Sequence, residues 1–316
     1  MEDSSKTTVC VLGSYGEFVG SYLALECLSR PQLITKILVR PNYKDFPQKK
    51  EIVDNLVSKG AIIVFGDASD EASLSEAFIG VDIIISALGG WGDVGRFHDN
   101  VYAAAKKLGT VKRIVPAQFG FDVLSLPVED MDDYMPKKRA WCIAGIESGI
   151  PYTIVSHGAF AEWMITNSNN QFVHHAEGIV DHAGSPDVEG WVTTTCRDTA
   201  RLTVDAVLDP AMANRRISIA ASRMSATGIA KAFTKATGRQ YTTRQVRTLE
   251  EIARVREQGG QQTDQEKFND YILSNWARGS FHAGFSEPYL VDTQALYGWT
   301  PESFEDAAIR YLADKK

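Results

Sequence analysis

Six short runs of apolar, mostly β-branched residues recur along the first half of the chain, with helix-length segments between them. These runs are TVCVL (8–12), TKILVR (35–40), AIIVF (61–65), VDIIISAL (81–88), VKRIVPA (111–117) and PYTIVS (151–156). Nearly continuous apolar strands, repeated at intervals of about 30 residues, are typical of buried parallel strands joined by helical crossovers. The pattern predicts an α/β fold built on a doubly wound parallel sheet.

The first strand runs into a glycine turn and then a helix, in the stretch TVCVLGSYGEFVGSYL (8–23). Gly13 and Gly16 have the spacing of a dinucleotide-binding turn, in which glycine backbone approaches a pyrophosphate at a helix N-terminus. Gly20 comes one residue late for the usual third glycine, and a plain turn in a structural domain is the alternative interpretation. Gly13, Ser14, Tyr15 and Gly16 are expected to contact the pyrophosphate through their backbone. Glu17 and Phe18 are expected beside the cofactor, in the place normally next to the third glycine, with the Glu17 carboxylate pointing away from the phosphates.

The regular alternation of strands and helices stops after the sixth strand. We therefore predict a Rossmann domain over 1–160 that binds NAD(P), and a smaller, mostly helical substrate-binding portion over 161–316. Residues 196–221 contain a helix candidate and the strand candidate RRISIAA. This segment is expected to return a helix and a strand to the sheet of the first domain.

Charge and cysteine usage limit the classes of partner. The net charge of −7 argues against binding of nucleic acid or anionic membranes, which depends on clustered Lys and Arg. Four separated cysteines, no CxxC pair, no signal-peptide pattern and no apolar run near the roughly 18 residues of a membrane span predict a reduced, cytoplasmic protein. No zinc-type His or Cys spacing occurs, so no metal is expected. We expect a monomer or homodimer with a small-molecule substrate.

The end of the second strand indicates which dinucleotide is preferred. NAD sites usually place an acidic residue there for the ribose 2′-hydroxyl, whereas NADP sites place a basic residue for the 2′-phosphate. Here Arg40 occupies that position, and Lys44, Lys49 and Lys50 follow it. The expected cofactor is therefore NADPH, with a solvated basic loop as the alternative interpretation.

Several ordered segments together resemble a known family. They are ILVRPN, GAIIVFGDASDEASLSEAFIGVDIIISALGG, VKRIVPAQFGFD, KKRAWCIAGIESGIPYTIVSHGAFAEW and TARLTVDAVLDPAMANRRISIAA. This succession is similar to the NmrA-like and isoflavone-reductase-like branch of the atypical short-chain dehydrogenase/reductases, of the phenylcoumaran benzylic ether reductase type. The resemblance covers residues 8–250 and implies an NADPH-dependent oxidoreductase.

The resemblance also implies which residues hold the cofactor. In the family, NADPH lies against the glycine turn, the Arg after the second strand, the Asp after the third strand and the loop after the fourth. Those positions correspond here to Gly13, Gly16, Arg40, Asp67 and the SALGG segment 86–90. Further cofactor contacts are expected at Lys49, Ala87, Leu88, Gly89, Ala117, Gln118, Phe119 and Lys138.

Three residues are candidates for proton transfer. The resemblance places the family's catalytic lysine at Lys138, and a lysine beside a nicotinamide can pass a proton to a substrate oxygen. Tyr134 forms a Tyr-x-x-x-Lys pair with Lys138, but Pro136 lies between them and predicts a helix start that leaves Tyr134 outside the helix. His157 follows the sixth strand, where it would act either as a proton relay or as a neutral wall of the pocket.

One segment departs from the family pattern. Where the family has Pro-Ser-Glu-Phe-Gly, this chain has PAQFG, so that Ala117 and Gln118 replace a hydroxyl and a carboxylate. A serine that polarises a substrate carbonyl would then be missing, although Gln118 can still donate a hydrogen bond. The departure leaves room for functions other than reduction.

Three functions follow from these observations. The first is reduction of a carbonyl, enone or quinone-methide-like group in an aromatic or polyketide-derived small molecule, with Lys138 managing the proton. The second is a non-catalytic NAD(P)-sensing regulator of the NmrA type. The third is an isomerase or cyclase that retains its cofactor without net hydride transfer.

Overall fold

The structure is a computed structural model that describes residues 6–16, 18–89, 94–131, 134–166, 172–257 and 262–313. The strands described are β1 (Thr7–Leu12), β2 (Leu33–Val39), β3 (Ile62–Phe65), β4 (Ile83–Ser86), β5 (Arg113–Val115), β6 (Thr153–Ser156), β7 (Ala159–Phe160), β8 (Val173–His174), β9 (Ile179–Ala183), β10 (Trp191–Thr194), β11 (Arg215–Ser218), β12 (Ser222–Met224) and β13 (Thr242–Arg247). The α-helices described are α1 (Val19–Leu28), α2 (Pro47–Ser58), α3 (Glu71–Ala77), α4 (Val94–Leu108), α5 (Met135–Glu147), α6 (Ala161–Thr166), α7 (Cys196–Leu208), α8 (Ala226–Thr237), α9 (Leu249–Glu257), α10 (Asp264–Arg278), α11 (Thr293–Tyr297) and α12 (Phe304–Leu312). Short 3-10 turns lie at Tyr43–Asp45, Val128–Asp130, Pro210–Met212 and Ser280–His282.

The central sheet is parallel, with the strand order β3-β2-β1-β4-β5. A parallel bridge between Ile114 and Tyr152 links β5 to the start of β6, which pairs with β11. The chain moves outward from β1 to β3 and then returns to place β4 on the other side of β1. This reversal is the topological switch point of a doubly wound sheet. The predicted α/β class and parallel sheet are confirmed.

The burial of the strands follows from their places in the sheet. Val9–Leu12 in β1 and Ile84–Ile85 in β4 have no exposed surface, because both strands have neighbours on either side. In contrast, β3 is an edge strand, and its Ile62 and Phe65 are exposed. Helices α3 and α4 cover one face of the sheet through a core that includes Leu74 and Val101. Continuous apolar runs therefore become the buried middle of the sheet.

The chain divides into two compact units of nearly equal length. The first comprises Met1–Phe119, Lys137–Val155 and Thr199–Ile217, so α7 and β11 belong mainly to it. The second comprises Gly120–Pro136, Ser156–Asp198 and Ser218–Lys316. This division differs from a single boundary at residue 160, because residues 120–136 leave the first unit before the chain comes back to form most of α5.

The second unit holds more β-structure than the predicted, mostly helical portion. Strands β12, β10 and β7 form one three-stranded sheet, and β13, β9 and β8 form another, beside helices α6 and α8–α12. These strands are two to six residues long, and the sequence of β13, TTRQVR, is mainly polar. Strands this short, whether buried like β10 or largely exposed like β13, lack the apolar periodicity that predicts a strand.

Aromatic side chains build the core of the second unit. The indole of Trp191 is fully buried, and its ring centroid lies 5.3 Å from that of Trp276 and 6.0 Å from that of Trp163. The rings of Phe121 and Phe281 stack on each other with centroids 3.6 Å apart, and both also pack edge-on against Trp191. Large rings provide much buried apolar area for each residue ordered, which stabilises a unit with short strands.

A buried carboxylate connects α6, the first residue of α7 and α12 within the second unit. Both Glu162 side-chain oxygens, in α6, accept the Cys196 N–H at the start of α7, at 3.1 and 3.0 Å. The Tyr311 hydroxyl of α12 donates to Glu162 Oε1 at 2.9 Å. A negative charge at the N-terminus of a helix is favourable, and these donors offset the cost of burying it.

Replacing this carboxylate should destabilise the second unit. In Glu162→Gln the amide group cannot accept the same donors with both of its polar atoms, so a buried group loses its hydrogen bond. We expect the free energy of unfolding to fall by about 1–3 kcal/mol in urea denaturation. The control is Glu177→Gln, an exposed residue whose oxygen lies 3.8 Å from Arg244, for which we expect about 0–1 kcal/mol. Equal effects of the two substitutions would contradict this role.

Candidate functional site

The glycine turn after β1 packs directly against the segment after β4. Gly13 has a φ of +74°, and a Cβ atom there would lie 2.6 Å from the Ala87 carbonyl oxygen. The Ala87 N–H in turn donates to the Leu12 carbonyl at 2.9 Å. Only glycine combines this backbone conformation with this approach, so the turn and the Ala87 segment form one surface at the carboxyl edge of the sheet.

Gly20 contacts the same turn from the helix side. A Cβ atom at Gly20 would lie 2.0 Å from the Gly13 carbonyl oxygen, which also accepts the Gly16 N–H at 3.0 Å. Helix α1 begins only at Val19, with Phe18 at its N-cap and no side-chain cap. The late third glycine therefore serves close packing of helix and turn, because the turn is one residue longer than usual.

A cleft of about 230 Å³ opens above this surface within the first unit. It is lined by Gly13, Tyr15, Gly16, Leu38, Arg40, Lys49, Gly66, Ala68, Ala87, Leu88 and Gly89. Eight of the sixteen predicted cofactor residues therefore lie together, while Ser14 is fully buried in the turn and Glu17 lies outside the described residues. Sequence reasoning missed Leu38, Gly66 and Ala68, which the carboxyl ends of β2 and β3 would have indicated.

The cleft is basic on the side of β2. Arg40 Nε lies 3.5 Å from an Asp67 carboxylate oxygen, and both side chains are partly exposed. The Ser69 N–H donates to Asp67 at 2.8 Å and is the main cause of a lowered pKa for this carboxyl, to which Arg40 adds. The Lys49 ammonium lies 4.4 Å from the centroid of the Phe46 ring. Arg40 and Lys49 both line the cleft, so this side of it carries two cations, of which Arg40 is paired with Asp67.

Lys138 lies in the first turn of α5 and is buried, with 8% of its surface exposed. Its Nζ donates a hydrogen bond to the Phe119 carbonyl at 3.0 Å. Buried lysines are rare because an ammonium group loses its hydration, so a partner of this kind is required. The structure therefore connects Lys138 to Phe119, another of the predicted cofactor residues.

The other two candidates for proton transfer belong to the second unit. Helix α5 begins at Met135 with Pro136 as its second residue, and Tyr134 lies just outside it. His157 is fully buried, its main-chain N–H donates to the Gly120 carbonyl at 3.0 Å, and its ring stacks on Phe160 with centroids 4.0 Å apart. The ring of His157 therefore packs as part of an aromatic contact.

The departing PAQFG segment is buried at the carboxyl end of β5. Ala117 and Gln118 are both buried, and the Gln118 N–H donates to the Pro116 carbonyl at 2.7 Å. Neither residue lines the cleft beside the glycine turn. The main-chain carbonyl of Phe119, the next residue of this segment, accepts the hydrogen bond from Lys138.

The family follows from a match over most of the chain. A model described as the NmrA-like family matches residues 5–268. The chain belongs to the NmrA-like family. An isoflavone reductase homolog from Nicotiana glauca is 30% identical to this NmrA-like protein over 226 residues, which are 69% of each chain. A phenylcoumaran benzylic ether reductase from Ginkgo biloba is 33% identical over 165 residues, 51% of this chain and 52% of the relative.

Solved structures agree with the fold of the NmrA-like protein. The binary complex of leucoanthocyanidin reductase with NADPH from Vitis vinifera superposes with a TM-score of 0.81 at 24% identity, covering 97% of this chain and 99% of that chain. At this identity the likeness establishes the fold, and function rests on the site. The resemblance that the sequence indicated is confirmed.

Other features of the NmrA-like protein concern thiols, metals and membranes. Cys10, Cys27, Cys142 and Cys196 are buried free thiols, and burial raises the pKa of Cys10 and Cys27 to about 12. Within the described residues, no group of three or more His, Cys, Asp or Glu side chains is arranged to hold a metal ion. In the same part of the chain, every helix is too short or too polar to cross a bilayer.

Adding a methyl group at Gly20, where α1 contacts the glycine turn, should loosen both elements. In Gly20→Ala the new methyl group overlaps the Gly13 carbonyl, so α1 must move away from the turn at a cost of about 1–3 kcal/mol. We expect a lower thermal midpoint and faster hydrogen–deuterium exchange between Gly13 and Leu28. The control is Ser21→Ala, which adds no atom to this contact. Unchanged exchange in Gly20→Ala would contradict the packing role of this glycine.

Proposed function

We propose that this NmrA-like protein is an NADPH-dependent reductase. Its substrate is a carbonyl, enone or quinone-methide-like group in an aromatic or polyketide-derived small molecule. The names of its relatives support this class, because they include isoflavone reductase homologs, phenylcoumaran benzylic ether reductases and a eugenol synthase. A structural neighbour was solved with NADP+ and (+)-pinoresinol, which is an aromatic compound.

The glycine turn fits the pyrophosphate of a dinucleotide. Gly13 and Gly16 line the cleft without side chains, and α1 begins shortly after them at Val19, with Phe18, which gives no side-chain cap, at its N-cap. Backbone N–H groups and the positive end of a helix bind a phosphate without a basic side chain. Ala87, Leu88 and Gly89 line the same cleft beside the turn.

Arg40 and Lys49 are the residues that would distinguish NADPH from NADH. They line the cleft at the end of β2, where the adenosine ribose lies in this fold. The guanidinium of Arg40 can donate two hydrogen bonds to a phosphate, and Lys49 adds a second positive charge. Asp67 accepts a hydrogen bond from the Ser69 N–H and pairs with Arg40, which orients the guanidinium.

The observation that carries the proposal is the buried ammonium of Lys138. NADPH, when bound, supplies a hydride. A carbonyl carbon that accepts a hydride leaves a negative charge on its oxygen, which then needs a proton. Lys138 can donate that proton or orient a group that does, and the Phe119 carbonyl holds its Nζ in one position. Tyr134 and His157 are the two candidates for such a group.

The replacement of a serine and a glutamate by Ala117 and Gln118 favours a second candidate. An NAD(P)-sensing regulator would keep the nucleotide cleft and need no group to polarise a substrate carbonyl. The burial of both residues is compatible with such a protein. The presence of Lys138 supports the reductase instead, because a sensor has no use for a buried ammonium at this position.

Arg40 should decide the preference between cofactors. In Arg40→Ser the dissociation constant for NADPH should rise about tenfold to a hundredfold, because charge-assisted hydrogen bonds to the 2′-phosphate are lost. The constant for NADH, measured in the same fluorescence titration, should change little. The control is Lys50→Ser, since Lys50 pairs with Asp54 and does not line the cleft. An equal loss for both cofactors would contradict the assignment.

Lys138 should be required for turnover but not for cofactor binding. In Lys138→Met we expect NADPH oxidation to fall by about a hundredfold or more, as for loss of a general acid, with NADPH affinity largely retained. The assay uses NADPH with a panel of aromatic ketones, a phenylcoumaran benzylic ether and (+)-pinoresinol, with product analysis. The control is Lys137→Met, an exposed neighbour in the same helix turn.

The same assay separates the rival functions. Turnover that persists in Lys138→Met would overturn the catalytic role. Similar affinities for NADP+ and NADPH, with no oxidation of NADPH across the panel by the unsubstituted protein, would favour the sensor. A product that has the same composition as its substrate would favour an isomerase or cyclase.

A further inference from the structure

Helix α5 carries Lys138 on the same face as two residues that contact neighbouring elements. Lys138, Trp141 and Gly145 are spaced three and four residues apart, so their side-chain positions follow one stripe of the helix. Trp141 and Gly145 are buried. The contacts of Trp141 and Gly145 therefore determine where α5 places the backbone of Lys138.

Two side chains of α4 hold Trp141 of α5. The His98 ring stacks on the Trp141 indole, with centroids 4.4 Å apart and planes 14° from parallel. The Tyr102 hydroxyl donates to the Trp141 main-chain carbonyl at 2.9 Å. Burial raises the pKa of Tyr102 well above its ordinary value, so its hydroxyl remains a donor. Trp141 is thus held by both its ring and its backbone, one turn after Lys138.

Gly145 allows this close contact. A Cβ atom there would lie 2.9 Å from the Tyr102 hydroxyl oxygen, 3.1 Å from its Cζ and 2.9 Å from Pro116 Cγ. Glycine inside a helix is less favourable than alanine, and the φ of Gly145 does not lie in the left-handed region that favours glycine. The close approach to Tyr102 and Pro116 is therefore the physical reason for a glycine at this position.

The contact at Gly145 and the hydrogen bond of Lys138 involve the same short segment after β5. Pro116 touches the Gly145 end of the stripe, and the Phe119 carbonyl accepts the Lys138 ammonium at 3.0 Å. The two points lie about 10 Å apart along α5 at the usual rise for each residue. Because the segment 116–119 is short, a displacement of α5 at Gly145 also alters the distance that Lys138 must span.

We propose that Gly145 and Tyr102 are positioning residues that set the reach of Lys138. They hold α5 close to α4 and to the segment 116–119, so that Nζ meets the Phe119 carbonyl in one geometry. The inference rests on the proposed function, in which Lys138 manages the proton. It adds that the reaction depends on the contact between α4 and α5 at Gly145, one turn beyond Trp141.

The test adds a methyl group at Gly145, where α5 contacts Tyr102, and then removes the Tyr102 hydroxyl that this methyl group meets. In Gly145→Ala we expect kcat to fall on the order of tenfold to a hundredfold in the NADPH oxidation assay, because small misplacements of a reacting group cost this much. The dissociation constant for NADPH and KM for the aromatic substrate should change less than twofold. Helix propensity alone predicts the opposite, since alanine favours the helix.

Rescue distinguishes positioning from general damage. Tyr102→Phe removes the hydroxyl that the new methyl group meets, so Gly145→Ala with Tyr102→Phe should recover part of the lost kcat. Tyr102→Phe alone adds no atom, folds as a conservative change, and should lower kcat a few-fold without changing KM. The control is Glu147→Ala, an exposed position on the same helix, for which kcat should not change.

Crystal structures of Gly145→Ala and Tyr102→Phe supply a readout that does not depend on activity. We expect the distance from Lys138 Nζ to the Phe119 carbonyl oxygen to lengthen in both variants. A distance that stays at 3.0 Å, or a lengthened distance with unchanged kcat, would overturn the positioning role. If Lys138→Met keeps full turnover, the proposed function fails, while the measured distances still decide whether Gly145 and Tyr102 set the position of the lysine.

Discussion

The contact between Gly20 and the Gly13 carbonyl is the constraint on which the nucleotide cleft depends. It brings the start of α1 against the turn after β1, and Gly13 in turn lies against the Ala87 carbonyl after β4. Three elements therefore meet through main-chain atoms at the switch point of the sheet. The close approach of these main-chain atoms places the start of α1 directly against the turn that lines the cleft, an arrangement that suits a phosphate group.

A second glycine contact acts in a similar way beside the carboxyl end of β5. Gly145 lets α5 approach Tyr102 and Pro116, and the same helix then delivers the Lys138 ammonium to the Phe119 carbonyl. In both places the chain loses side-chain volume at a contact and gains a defined position for a polar group. The turn beside the cleft is thus positioned by main-chain contacts, and the helix of Lys138 by the close approach of Gly145 to the side chains of Tyr102 and Pro116.

Much of the fold could be predicted because apolar strands and glycine spacing are local signals. The six strands of the first half, the parallel sheet and the helix start near Pro136 could be inferred from runs of neighbouring residues. The sheets of the second unit could not, since β13 and its partners are short and polar, and their pairing joins segments far apart in sequence. Leu38, Gly66 and Ala68 were missed for a similar reason, because their side chains or backbone reach the cleft only once β2 and β3 are paired.

The sequence by itself determined the class of fold, the family and the residue types that suit NADPH, because these depend on periodicity, on motifs and on the charge after the second strand. Only the tertiary structure decided why Gly20 is a glycine, since its neighbour is the carbonyl of Gly13, seven residues away. It also decided that Lys138 is buried with a carbonyl partner and that Tyr102 holds its helix. Such relations join elements that the linear chain keeps apart, and packing alone brings them within contact distance.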